Sequence, residues 1–283
     1  MIRGIYTGAS GMDAMQAKMD ILSNNIANVD KTAYKKDTVI FKNFPEMLLH
    51  RVNDDGVGQT PLGSFDMMPV VGKLGTGVEV NEVFTQFEQG ALKKTNNPAD
   101  MALNGEGFFV IQTDKGAMLT RSGAFTLDKN GNLSTANGFP LMGENGPIKV
   151  SQYNYQIKPN GEVWINAAIG NDPERIFGND MNKWENPVLL DRLQIVKVEN
   201  PRYLNKVGDS MYSTTPESGE GFRPGDKQMP EVVQKFLELS NVNIVKEMVD
   251  MIEVNRMYEM NQKAITTHDT MLGTLLSQVP SVK

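Results

Sequence analysis

The amino-acid sequence predicts an α+β protein whose terminal helices pair as a coiled coil and flank a central antiparallel β domain. Apolar residues recur at alternating spacings of three and four near both ends, as in a helix with one apolar seam. Short apolar runs separated by turn residues fill the middle of the 283-residue chain, as in an antiparallel sheet. The predicted parts are an N-terminal helix (1–35), an extended segment partly ordered by assembly (36–99), the β domain (100–230) and a C-terminal helix (231–283).

The first helix is predicted to run from about residue 2 to about residue 28, where a polar cluster weakens it. Its apolar seam contains Ile2, Ile5, Ala9, Met12, Met19 and Ile26. Gln16 and Ser23 fall on the same seam. Such polar residues either fix the register of a two-stranded coil or lie on the rim of a broader bundle, and spacing alone favours neither interpretation.

The last helix is predicted to be about 35 residues long, and its candidate caps are Ser240, Asn241 and Asn243. Its apolar seam contains Ile244, Met248, Met251, Tyr258, Ile265 and Leu272. Polar residues occupy further seam positions, namely Asn255, Gln262 and Asp269. A narrow apolar stripe gains little stability unless another helix covers it. We therefore expect the two ends to pair, and we predict that the two seams form the interface between subunits of a polymer.

Between the first helix and the β domain, the sequence predicts a loop-like segment with one strand near residues 78–87. Gly, Pro, Asn and Asp residues interrupt this segment throughout. It is too long for a plain connection within a compact domain. We therefore expect neighbouring subunits to order part of it.

The central domain contains several short apolar runs that are typical of strands. They lie at residues 101–113, 125–127, 153–157, 163–165 and 193–198. Asn130-Gly131 is a strong hairpin signal and favours a type I′ turn, in which both residues have positive φ. Residues 218–230 are rich in Gly and Pro and are predicted to link this domain to the last helix.

Composition excludes several classes of function. The formal net charge is −6, from 28 basic and 34 acidic residues, so no basic excess favours nucleic acid as a partner. The absence of cysteine excludes disulfides, thiolate metal sites and a cysteine nucleophile. Residues 1–29 lack the compact apolar region of a secretory signal, so any export is expected to use another route.

The motifs that could carry chemistry are incomplete. Gly105-Glu106-Gly107 begins like a dinucleotide-binding fingerprint but lacks the third glycine. Residues 128–132 resemble part of a calcium loop without its later glutamate. The two histidines, His50 and His268, fall in different predicted elements. We therefore expect no cofactor, no metal, no small-molecule substrate and no catalytic residue.

Two other classes of protein remain alternatives. A cell-wall glycoside hydrolase needs a pair of carboxylates, and the candidates are Asp54, Asp55, Glu162, Asp172, Glu174 and Asp180. A surface adhesin needs an exposed aromatic patch, and the candidates are Tyr153, Tyr155, Trp164 and Trp184. We favour a structural subunit, because acidic residues in polar loops are usually solvated and large aromatic residues usually pack in a core.

Motifs in three parts of the chain resemble those of a known protein family. They are residues 23–29, 32–36, 103–109, 120–125, 131–133, 240–243, 247–252 and 256–263. In this order they are similar to the N-terminal signature, the start of the β domain and the C-terminal helix of bacterial flagellar rod and hook proteins. The main motif residues are Asn24, Asn25, Ala27, Asn28, Gly105, Gly107, Phe108, Phe109, Ser240, Asn241 and Asn243.

The resemblance implies a structural subunit of the flagellar rod, the drive shaft of the basal body, and not an enzyme. Its expected partners are further copies of the chain, other rod and hook axial proteins, and the flagellar type III export apparatus. Its expected location is the periplasmic rod. Torque is then expected to pass through many helix contacts in parallel.

Some segments bear on the position within the rod or depart from the family pattern. Residues 44–49, 53–56 and 63–66 resemble proximal rod subunits of the spirochaete type, and the distal rod protein, which shares the general motifs, is the alternative. Ala33 stands where the family usually has Gly, which argues against a left-handed backbone at this turn. Residues 170–184 match no family motif.

Overall fold

The structure, a computed structural model, describes residues 2–50, 57–60, 63–66, 70–150, 155–166, 187–208, 210–225 and 229–278. The chain forms two compact units. The first, here the helical unit, comprises Met1–Asn24, Asp37–Val83 and Val245–Lys283. The second, here the β unit, comprises Asn25–Lys36 and Phe84–Ile244. The four-part division expected from the sequence stays a prediction.

Both predicted terminal helices are present. α1 spans Ile2–Ala27 and α2 spans Ile244–Gln278, which is 35 residues long. The predicted cap cluster forms a turn just before α2, where the Val242 amide donates a hydrogen bond to the Ser240 hydroxyl. Within the described part of the chain, no helix is both long enough and apolar enough to span a membrane.

The rest of the helical unit consists of two-stranded ribbons. The pairs are β1 (Asp37–Asn43) with β6 (Val78–Thr85), β2 (Met47–His50) with β5 (Val70–Leu74), and β3 (Val57–Thr60) with β4 (Gly63–Asp66). The strand predicted near residues 78–87 is confirmed as β6, and the described residues of the loop-like segment contain further strands that the sequence did not predict. Every side chain of β2 is exposed, so this ribbon has no buried face. Its sequence therefore lacks the period-two alternation that identifies a half-buried strand.

The β unit is a set of antiparallel strand pairs, which confirms the predicted character of the central domain. Its first strands are β7 (Leu92–Lys94), β8 (Met101–Asn104), β9 (Phe108–Thr113), β10 (Gly116–Thr120), β11 (Phe125–Leu127), β12 (Leu133–Thr135) and β13 (Tyr155–Ile157). The later strands are β14 (Glu162–Asn166), β15 (Pro187–Arg192), β16 (Ile195–Val196), β17 (Asn205–Lys206), β18 (Met211–Ser213), β19 (Glu231–Gln234) and β20 (Phe236–Glu238). A short 3-10 turn covers Pro201–Tyr203.

The largest sheet has the strand order β16-β9-β10-β18-β17, and a second sheet has the order β13-β14-β15. β19 pairs with β8, and β20 pairs with β7, so the chain just before α2 returns to the start of the domain. The main apolar core lies among these strands and includes Phe109, Phe125, Leu133 and Leu193, which are almost fully buried. A second apolar cluster surrounds Phe108, whose ring packs edge-on against that of Phe87.

The hairpin predicted at Asn130-Gly131 joins β11 to β12, but its predicted turn type is wrong. Gly131 has a φ of 78° and its amide donates to the Asp128 carbonyl at 2.9 Å, whereas Asn130 does not have positive φ. A type I′ turn needs positive φ at both residues. The Asp128 carboxylate instead accepts hydrogen bonds from the Lys129 amide and the Asn130 side chain, which stabilises a turn with one left-handed residue.

Candidate functional site

The helical unit brings α1 and α2 into direct contact through three glycines of α1. A Cβ atom added to Gly4 would lie 2.8 Å from Nε2 of His268, and one added to Gly8 would lie 2.9 Å from Cγ1 of Ile265. A Cβ atom on Gly11 would lie 2.9 Å from Nδ2 of Asn261. Because the contact residues of α2 fall as those of α1 rise, the two helices run antiparallel along this stretch. Glycine allows the close approach, since any larger side chain would collide with α2.

The buried positions of α1 do not coincide with its predicted seam. Gly8, Ala14 and Leu22 are the residues of α1 that are buried before the helix enters the β unit. Of the predicted seam residues, Ala9 is exposed, and the half-buried ones are Ile5, Met12, Met19 and Ile26. The side chain of Ile2 lies outside the described ones. The contact line on this helix is therefore rotated toward the glycines by about one residue, or roughly 100°.

Four of the six predicted seam residues of α2 are partly covered within the subunit. Met251, Tyr258, Ile265 and Leu272 are half-buried, whereas Ile244 and Met248 are exposed by 40% and 48%. The covered residues of α2 outside the predicted seam are Glu247, Asp250, Val254, Asn261 and His268. The polar residues Asn255, Gln262 and Asp269, which the spacing placed on the seam, are exposed.

The outer surface of α2 carries large apolar side chains that the single-seam interpretation missed. The exposed residues away from the predicted seam include Val245, Val249, Ile252, Met257, Met260, Met271, Leu275 and Leu276. Their signal in the sequence is an apolar content too high for one stripe, since a helix with one contact face is polar elsewhere. This surface is the candidate interface with another protein chain.

In the β unit, the family motifs converge on Arg121. Its guanidinium donates hydrogen bonds to the backbone carbonyl oxygens of Leu103, Gly105 and Gly107. Its Nε also contacts Oε2 of Glu238 at 2.7 Å. The motif at 103–109 thus owes its shape partly to the arginine of the motif at 120–125, because five fixed N–H donors can serve several acceptors at once.

Glu238 carries the negative charge of this cluster. Its Oε1 accepts hydrogen bonds from Nζ of Lys35 at 2.6 Å and from the Gly90 amide at 2.9 Å. The side chains of Lys35 and Glu238 are only 2% and 1% exposed. Burial lowers the pKa of the Lys35 ammonium below its ordinary value, and the nearby Arg121 charge lowers it further, while Glu238 acts in the opposite direction.

The N-terminal motif packs as a compact turn. The Tyr34 hydroxyl donates to Oδ1 of Asn25, which is buried, and the Ala33 amide donates to the Glu238 carbonyl at 2.8 Å. Ala33 has a φ of 53°, so the left-handed backbone is retained without glycine, contrary to the expectation from the sequence. Side-chain atoms of Asn241 accept from the Lys36 amide and donate to the Gln86 carbonyl, which ties this turn to the segment before α2.

The remaining motif residues divide into core and surface positions. Phe108 and Phe109 are buried in the two apolar clusters of the β unit. Gly105 accepts the Arg121 hydrogen bond through its carbonyl and donates its amide to Oε1 of Gln89. On the helix ends, Asn24, Ala27 and Asn243 are exposed, and Asn28 is half-buried.

Comparison with known families supports the motif assignment along the whole chain. A flagellar basal-body rod protein model matches residues 5–35, and a model of the D1 domain of the hook proteins FlgE/F/G matches residues 102–165. The FlgEFG C-terminal rod model matches residues 233–278. The rod protein FlgG of Borreliella burgdorferi is 33% identical over 279 residues, which cover 96% of this chain and 97% of the relative.

The chain belongs to the flagellar basal-body rod protein family. FlgG of Buchnera aphidicola subsp. Schizaphis graminum is 33% identical over 278 residues, which cover 97% of this chain and 99% of the relative. The hook-basal body complex protein FlhO of Bacillus subtilis is 29% identical over 297 residues and matches 100% of both chains. The protein is thus a structural subunit of the flagellar rod, in the basal body.

The structure describes some of the residues that the sequence offered for a glycoside hydrolase or an adhesin. Hydrogen bonds from Trp164 and Asn160 lower the pKa of the Glu162 carboxyl below its ordinary value, whereas the acid of a glycosidase needs a raised pKa. Trp164 is half-buried beneath Lys158, and Tyr155 belongs to the core. The other candidates, Asp54, Asp55, Asp172, Glu174, Asp180, Tyr153 and Trp184, lie outside the described residues, as do residues 170–184. Within the described part, no three acidic or histidine side chains cluster as metal ligands.

Proposed function

We propose that this rod subunit polymerises through its terminal helices, which pair as a coiled coil, and that the polymer transmits torque along the rod. The outer surface of α2 is the observation that carries this proposal. Ile252 and Leu276 are exposed by 55% and 74% in the isolated chain. Full burial of such a side chain contributes about 1.5–3 kcal/mol, so several of them together favour association strongly.

The interface residues predicted from the sequence take two roles in this proposal. Those exposed on the isolated chain, Ala9, Ile244 and Met248, contact neighbouring subunits. The half-buried ones, such as Met251 and Ile265, hold α1 against α2 within the subunit. The contacts between subunits are heterologous, since a helical polymer needs two different faces on each subunit.

The partners that fit this surface are further copies of the chain and other rod and hook axial proteins, since the family models cover both kinds of protein. The flagellar type III export apparatus is the proposed export route, and the periplasmic section of the basal body is the proposed location. Along the rod, residues 44–49 and 63–66 support the proximal segment, with the distal segment as the alternative. A tagged subunit located by electron cryotomography of basal bodies decides between the two segments.

Met248→Asp tests polymerisation directly, because Met248 is a predicted interface residue and is exposed on the isolated chain. An unpaired charge buried in an interface costs several kcal/mol, so we expect the variant subunit to fold normally but to fail in rod assembly and motility. Folding is measured by circular dichroism of the purified subunit, and assembly by the subunit content of isolated basal bodies.

Ala117→Asp is the control, since it adds the same charge to an exposed residue of β10 rather than to the outer surface of α2. This variant is expected to assemble and swim normally. Equal loss of assembly in both variants would show that any charge added to the subunit surface is harmful, and normal assembly of Met248→Asp would refute the proposed interface.

A further inference from the structure

The buried ion cluster of the β unit has members that are held very differently. Arg121 binds three backbone carbonyl oxygens in addition to Glu238, and Glu238 also accepts a hydrogen bond from the Gly90 amide. Lys35 reaches the cluster from another part of the chain, and among the described residues its ammonium donates to Oε1 of Glu238 and to the Glu88 carbonyl. Arg121 and Glu238 therefore have partners of their own when Lys35 is absent.

The charges of the cluster reinforce this asymmetry. Without Lys35, Arg121 and Glu238 form a neutral, hydrogen-bonded pair, which a protein interior tolerates. Without Glu238, two cations are buried beside each other with no anion, which is strongly unfavourable. The Glu88 carbonyl and the Glu238 carboxylate thus form a receptor for one ammonium group, and the β unit builds this receptor from residues outside the segment that carries Lys35.

Lys35 lies in the segment 25–36, which connects α1 to the first ribbon. The end of this segment packs into the β unit, where Ala33 and Tyr34 are buried, and polar contacts join it there, including the Ala33 amide on the Glu238 carbonyl and the Lys36 amide on Oδ1 of Asn241. Nζ of Lys206 also contacts the Lys35 carbonyl at 3.3 Å. These contacts share one small region, so loss of the central one weakens its neighbours.

We propose that Lys35 is a latch: insertion of its ammonium between Glu238 and the Glu88 carbonyl locks the segment 25–36 onto the rest of the β unit, Phe84–Ile244, which is already folded. The segment docks and undocks as one piece, while the strands of the β unit remain paired. The latch is measured on the single subunit, so a result that refutes it leaves the proposed polymerisation untouched.

Hydrogen exchange of the purified full-length subunit, followed by mass spectrometry, tests the latch with Lys35→Met. Methionine keeps an unbranched apolar chain but removes the ammonium. Hydrogen bonds to charged groups are stronger than neutral ones, so exchange in residues 25–36 is expected to accelerate about tenfold or more. Exchange in the core strands β9 and β10, and the melting temperature, are expected to change little.

Lys36→Met is the matched control, because it makes the same change at the next residue, whose side chain is half-buried outside the cluster. Its exchange in residues 25–36 is expected to equal that of the wild type. Glu238→Gln is expected to accelerate exchange in both the segment and the core strands. Unchanged exchange in Lys35→Met, equal acceleration across the whole β unit, or failure of this variant to fold would each overturn the latch.

Discussion

The β unit and the helix α2 both carry many large apolar side chains, but only the β unit covers them. Phe109, Leu133 and Leu193 are completely buried among the strands. On α2, Val254 is the buried apolar residue, and Leu276 remains 74% exposed. The core of the β unit is therefore covered within the subunit, whereas much of the apolar surface of α2 is exposed and, in the proposed polymer, is covered by another chain.

This difference corresponds to the two tasks of a rod subunit. A torque-bearing body must keep its shape under load, which a close-packed β core provides. A polymerising surface must remain available until the subunit reaches the growing rod. The methionines on the outer surface of α2, such as Met248, Met257 and Met260, suit such an interface, because a flexible side chain adapts to slightly different neighbours.

A core substitution gives the largest expected contrast between the two regions. Phe109 is completely buried and its ring packs edge-on against Phe125 at 5.5 Å between centroids. Phe109→Ala is expected to lower the free energy of unfolding by about 3–5 kcal/mol, because it leaves a cavity in the core. The measurement is urea unfolding of the purified subunit, monitored by the circular dichroism of its strands.

The matched change on α2 is Leu276→Ala, which removes an exposed apolar side chain. It is expected to change the free energy of unfolding of the subunit by less than about 0.5 kcal/mol. A loss comparable to that of Phe109→Ala would mean that α2 is already covered in the isolated subunit, and the contrast between the two regions would disappear.

The hairpin between β11 and β12 gives an intermediate effect. Gly131 has positive φ and Asn130 does not, so only Gly131 needs the conformational freedom of glycine. Gly131→Val is expected to destabilise the β unit by about 1–3 kcal/mol, as judged by thermal melting. Asn130→Val is expected to destabilise the β unit clearly less. Equal destabilisation by the two variants would support the type I′ turn.

The pH dependence of Lys35 is the smallest expected effect. In the folded subunit, burial lowers the pKa of Lys35, and the charge of Arg121 lowers it further. The attraction of Glu238 and Glu88 raises this pKa but does not outweigh burial. In the unfolded chain the pKa of Lys35 has its ordinary value near 10.5. Between these two values the unfolded chain binds more protons, so the contribution of Lys35 to stability rises with pH. It is constant below the folded pKa.

The difference in the free energy of unfolding between the wild type and Lys35→Met isolates this contribution, since the other titrating groups largely cancel. Urea unfolding is measured at a series of pH values from neutral to alkaline. We expect the free energy of unfolding of the wild type to rise relative to that of Lys35→Met as the pH approaches 10.5. A difference that moves toward the variant would mean that attraction by Glu238 outweighs burial.

Local patterns in the sequence were sufficient for several features of the rod subunit. The helices α1 and α2, the strand β6 and the position of the β11–β12 hairpin follow from periodicity, caps and an Asn-Gly pair, each of which acts over a few neighbouring residues. The motifs identified the family. The ribbon β2–β5 escaped prediction because neither of its faces is buried, so no alternation was selected in its sequence.

Which residues meet across the fold was decided only by the tertiary structure. Periodicity showed that α1 has an apolar seam, but the close approach to α2 occurs over Gly4, Gly8 and Gly11, because small residues let two helix backbones come near. Nothing local in the sequence pairs Lys35 with Glu238, which is 203 residues away. Such a contact forms only when several strands have reached their folded positions. The two charges pair because burying either of them without a partner costs much more free energy.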